Sequence, residues 1–130
     1  MSLDRTIVSI GGPLAIVSGL VCAAAPDTLA EMAGITASPS GLTDLRAIYG
    51  GLQIGLGAFL LWCRSDPART TAGLLALGLA VGCVGALRVL GMLVDGEPNA
   101  FHAANLTLEV ATTALVVFAM ARRRTALATV

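Results

Sequence analysis

The stretch LTDLRAIYGGLQIGLGAFLLWC, residues 42–63, decides the fold. It is about as long as the ~20 residues that carry a helix across a hydrocarbon core. From Ile54 on it is almost wholly apolar, while the part before holds Asp44, Arg46, Tyr49 and Gln53 around the glycine pair Gly50 and Gly51. Whether this is a membrane helix with polar residues, or something else, is settled by the chain around it.

Of the 130 residues, 56% are apolar and only 12% are charged, and the mean hydropathy is +0.86. In water such a chain would expose too much apolar surface; in a bilayer the same surface is solvated. Every basic residue is arginine, and the 8 basic side chains balance the 8 acidic ones. No global field recruits nucleic acid or an acidic partner. Cys22, Cys63 and Cys83 sit in separate apolar blocks without metal-ligand spacing, and a lone histidine cannot build a multi-histidine site. Neither a metal nor a cofactor is expected.

Three more blocks resemble the first, giving spans at about 6–25, 42–63, 70–94 and 101–121 in one domain, 1–130. The expected fold class is all-α, an integral-membrane four-helix bundle. The first block is kept as a helix: MSLDR offsets its one arginine with Asp4, AAAP is only loosely a cleavage region, and Val21 before Cys22 does not suit a lipoprotein. Arg5, Arg64, Arg69, Arg122, Arg123 and Arg124 fall on one face of a four-span topology, and the PDTLAEMAGITASPSG loop and DGEPN turn, which lack arginine, on the other. Arginine-rich connections stay in the cytoplasm, so both termini are expected there; the alanine-rich, arginine-only composition suggests a high-GC bacterium, hence a bacterial inner membrane.

Gly51 with Gly55, Gly78 with Gly82, and Ala15 with Gly19 are spaced for close helix approach. At 1.5 Å per residue, Arg46, Tyr49 and Gln53 lie roughly 5 to 16 Å below the acidic end, Arg88 about 9 Å and Glu109 about 12 Å. Asn105 and His102 stand one and two turns above Glu109, and Asp44 stays near the surface. Charged groups at such depth face inward and find partners. The expected site is therefore Arg88 paired with Glu109, Arg46 as a second cation on that carboxylate, and Tyr49, Gln53, Asn105, His102 and Asp44 around them. Tyr49 reads equally as an interfacial aromatic, His102 as a solvated helix-start residue, and Trp62 as an interfacial anchor.

Two arginines against one carboxylate would leave a positive excess for an anionic head group or a polarised carbonyl. The competing reading is a polar lock that fixes helix register. The expected function is binding of a membrane lipid, of an apolar or anionic small molecule, or of a membrane protein partner. The alternative is a membrane-embedded isomerase or cyclase using Glu109 as its acid/base.

The R-x-x-Y-G-G element (Arg46, Tyr49, Gly50, Gly51), the RVLGMLVDGEP stretch with Arg88, Gly91, Asp95 and Gly96, and Glu109 seven positions after His102 together resemble a family. It is the family of small bacterial four-helix membrane proteins catalogued as domain of unknown function 4345, and the resemblance covers about residues 5–121. It implies four helices and these polar positions, and no substrate. A likeness to DoxX-type proteins concerns architecture alone. Small multidrug transporters also pair four spans with a glutamate, but here that glutamate is in the last helix and expected beside arginine.

Overall fold

The computed structural model describes residues 2–96 and 99–128, so Glu97 and Pro98 of the expected DGEPN turn lie outside the described residues. Four helical stretches are long and apolar enough to cross a membrane: Leu3–Ala24, Pro39–Cys63, Pro67–Asp95 and Ala100–Thr125. The α-helices are α1 (Leu3–Ala24), α2 (Pro26–Met32), α3 (Pro39–Leu45), α4 (Leu52–Cys63), α5 (Pro67–Asp95) and α6 (Ala100–Ala128). A π-helical segment, Arg46–Gly51, joins α3 to α4 within the second span.

The boundaries follow local chemistry. α3 and α5 begin at Pro39 and Pro67, because Ser38 and Asp66 cap them and proline fits the first turn of a helix. The stretch expected to be a loop after α1 contains α2. It ends in a Schellman turn, with Ile35 N donating to Ala30 O and Gly34 N to Glu31 O while Gly34 takes φ +73°. Gly96 closes α5 in the same left-handed conformation, φ +71°.

The helices pack as two hairpins. α1 lies along α4 and the π segment, α5 lies along α6, and α5 bridges to α1 and α4. The buried apolar cluster of Ile7, Val8, Leu60, Leu74, Leu77, Val116 and Ala119 comes from the start of α1, the end of α4, the start of α5 and the later part of α6. It therefore sits toward the end of the bundle that carries the arginines. Elsewhere large apolar side chains point outward, Leu52 at 70% and Leu93 at 77% exposure, as a lipid-facing surface requires.

Glycine sets the α1–α4 distance, at Gly19, which the spacing suggested, and at Gly57, which it did not. A Cβ on Gly57 would stand 2.5 Å from Gly12 O, and one on Gly19 would stand 2.7 Å from Gly50 O. A Cβ on Gly51 or Gly55, one of the expected packing pairs, would meet no other helix within 4 Å among the described residues. Gly78 does face α6, where a Cβ would be 2.9 Å from Val116 Cγ1. The arginine-rich end is tied by Arg123 to Asp4 at 3.3 Å and by Arg5 Nε to Arg64 O at 2.8 Å.

Candidate functional site

Arg88 on α5 and Glu109 on α6 come together. Nη2 of Arg88 donates to Glu109 Oε1 at 2.8 Å, and Nε lies 3.0 Å from both carboxylate oxygens. Both side chains are largely covered, with 18% and 12% of their surface exposed. Gly85 makes the approach possible: a Cβ there would stand 3.3 Å from Glu109 Cβ. The planar guanidinium offers its fork edge-on to the carboxylate, the geometry that makes arginine pairs strong.

His102 completes the cluster. Its Nδ1 is 3.0 Å from Arg88 Nη1. Guanidinium has only donors, so Nδ1 must accept, which leaves the imidazole neutral with its proton on Nε2. The ring is held in place by its own backbone, since His102 N donates to Asn99 Oδ1 at 2.8 Å at the start of α6. Arg88, Glu109 and His102 thus form a triad of zero net charge.

The remaining expected site residues are elsewhere. Arg46 is exposed, and its Nε donates to Ala23 O at 3.1 Å instead of reaching Glu109. That carbonyl belongs to the last turn of α1, where helix carbonyls lack intrahelical partners and no basic residue of α1 is present. Arg46 therefore supplies a donor and a complementary charge to the C-terminus of α1. The expected second cation on the carboxylate is corrected to a helix cap, and the expected positive excess disappears. Tyr49 is 44% exposed. Asp44, Tyr49 and Gln53 have no hydrogen-bond or ionic partner among the described residues. Asn105 Nδ2 turns back to Phe101 O of its own helix at 2.8 Å.

Beside the triad, an open groove of about 440 Å³ runs between α5 and α6. Gly82, Gly85, Ala86 and Val89 form one wall, and the other includes Glu109 and Thr113. These last two are the polar side chains of the lining; Arg88 and His102 are not part of it. Thr113 was not singled out from sequence, although it lies one turn from Glu109 on the same helical face. Its Oγ1 is buried and has no hydrogen-bond partner among the described residues.

The family domain of unknown function (DUF4345) matches residues 3–120. The chain belongs to that family. No curated protein and no solved structure shows a match. For this DUF4345 member, the geometry gives physical content to the elements that carried the resemblance. R-x-x-Y-G-G is the π segment: Arg46 caps α1, and a Cβ on Gly50 would stand 2.9 Å from Ala23 Cβ. Arg88 and Glu109 are the ion pair of the second hairpin. Among the described residues no cluster of three or more His, Cys, Asp or Glu could hold a metal.

Proposed function

We infer that the chain is a multi-pass protein of the bacterial cytoplasmic membrane that binds a lipid-like apolar molecule along α5 and α6 without transforming it. The observation that carries this reading is the groove, which is apolar along its length and has the Glu109 carboxylate in its wall. A membrane site needs an apolar bed for a chain and a polar group to fix its head. Arg88 makes the carboxylate tolerable at this depth by neutralising it from the side that the groove does not reach.

Both termini and the Arg64–Arg69 connection are assigned to the cytoplasm. That end of the bundle carries Arg5, Arg64, Arg69, Arg122, Arg123 and Arg124, while Asp27, Glu31, Asp44 and Asp95 lie at the other. Trp62 marks a membrane boundary at that end, with Arg69 stacked 4.7 Å above its ring.

Acid/base catalysis is the weaker reading. A general acid or base takes a proton up and passes it on, and each uptake by Glu109 would break its ion pair with Arg88. Identification of retained lipids by mass spectrometry on gently purified protein tests the binding. A defined lipid should copurify, and Ala86→Phe, which fills the groove, should lose it. Equal lipid content in the two proteins would refute the reading. Topology is read independently: a cysteine at Ser65 should be labelled from the cytoplasmic side and one at Ser40 from outside.

A further inference from the structure

The two polar side chains in the groove wall restrict what its occupant can carry. Glu109 is a carboxylate, which only accepts hydrogen bonds. Its Oε1 receives two from Arg88, whereas Oε2 receives one, leaving acceptor capacity on the oxygen nearer Gly85. Thr113 Oγ1 is buried and unpartnered. Other helical threonines behave differently: Thr43, Thr107 and Thr125 each donate to the carbonyl four residues earlier. A buried hydroxyl without a partner costs about 1–3 kcal/mol, so a group that satisfies it is favoured.

Glu109 and Thr113 are one turn apart on α6, about 5–6 Å between Cβ atoms. Thr113 Oγ1 is covered beside Gly82, 3.6 Å from where a Cβ there would stand; once the side chain turns toward the groove, a single ligand oxygen can donate its proton to Glu109 Oε2 and accept one from Thr113 Oγ1. An anionic head group meets the opposite situation. It would face a carboxylate in a medium of low dielectric, with the compensating guanidinium outside the groove lining.

We propose that the α5–α6 groove selects an uncharged amphiphile bearing a hydrogen-bond donor, an alcohol or an amide, over an anionic one. This rests on the lipid-binding reading above and names its ligand class. Val81 to Val89 on α5 and Leu106 to Val117 on α6 receive the apolar chain, over a length of roughly 12–16 Å at 1.5 Å per residue. The small side chains at Gly82, Gly85 and Ala86 make the room. The neutral triad holds Glu109 in place without offering charge to an anion.

The test uses the full chain in nanodiscs and three photoreactive probes with one alkyl chain and different heads: a primary alcohol, its methyl ether and a carboxylate. Labelling is measured at about pH 9, where the carboxylate is ionised. The alcohol should label the α6 peptide around Leu106–Val117, with the ether and the carboxylate about tenfold weaker. Thr113→Val should weaken the alcohol several-fold and leave the ether unchanged, while Ala86→Phe should suppress labelling by all three. Carboxylate or ether binding as tight as the alcohol overturns the selectivity and leaves lipid binding standing. Absence of groove labelling by any probe, or labelling indifferent to Ala86→Phe, overturns both. Disulfide trapping of two copies through Ala86→Cys, with the probes excluded, would assign the groove to self-association and overturn the proposal.

Discussion

Arg88 reaches Glu109 edge-on, Nη2 2.8 Å from Oε1 and Nε 3.0 Å from both oxygens, so one cation binds one carboxylate almost completely. This contact lies away from the apolar cluster at the arginine-rich end. It joins α5 to α6 in a layer where little side-chain burial does so. Removing one partner leaves the other charged and poorly solvated. Arg88→Met or Glu109→Leu alone should each cost about 3–5 kcal/mol, and the double replacement should recover most of it. Denaturant unfolding in mild detergent measures the cycle; additive losses in the double variant would show that the pair is not coupled.

The His102 tautomer follows from the same guanidinium. With Nη1 of Arg88 at 3.0 Å, Nδ1 has to be the bare nitrogen. Imidazole ¹⁵N shifts of labelled protein near neutral pH should report a neutral ring protonated at Nε2. In Arg88→Met the ring should lose that preference. A ring protonated at Nδ1 in the unsubstituted protein would contradict the contact.

Glycine substitutions should sort by position along α4. A Cβ at Gly57 meets Gly12 O at 2.5 Å and Ile16 Cγ1 at 2.7 Å, whereas Gly55 has open space around it. Gly57→Ala should therefore loosen the α1–α4 hairpin, at a cost of about 1–3 kcal/mol from overpacking. Gly55→Ala should be neutral or stabilising by up to about 1 kcal/mol, because alanine is the better helix former. Thermal unfolding of the two single variants decides between this arrangement and packing through Gly51 and Gly55.

The contrast between Arg88 and Arg46 explains what sequence could and could not reveal. Hydropathy and length located the four long helices, since a bilayer leaves few other ways to satisfy the backbone. Depth along consecutive antiparallel helices was sufficient to match Arg88 to Glu109. Depth does not give direction around the helix axis, and a regular helical period, which would put Arg46, Tyr49 and Gln53 on one face, does not hold here. Residues 46–51 are π-helical, and i→i+5 bonding widens the turn. The 3.6-residue period consequently breaks between Arg46 and Gln53, and Arg46 serves the end of α1. Similarly, GxxxG spacing marked Gly51 and Gly55, but close approach depends on which face meets α1, and that face carries Gly50 and Gly57. Thr113 was illegible for another reason: its significance is a missing partner, which sequence does not display.

Asp66 provides a pH-dependent prediction outside the membrane spans. Its Oδ1 accepts from Ala68 N at 2.8 Å and Arg69 N at 3.0 Å at the start of α5. The Arg69 amide holds the carboxyl below its ordinary value, with desolvation opposing, and the Ala68 amide and the Arg69 charge assist. A depressed folded-state pKa means that the cap's contribution is fully present above the ordinary aspartate value. It is lost as pH falls through the lower, folded-state value. Hydrogen exchange protection of the Ala68 and Arg69 amides should therefore be constant near neutrality and decline below about pH 4. Asp66→Asn keeps a capping oxygen without a titrating proton, so its protection should lose that acid-range decline. An unchanged decline in Asp66→Asn would place the sensitive group elsewhere.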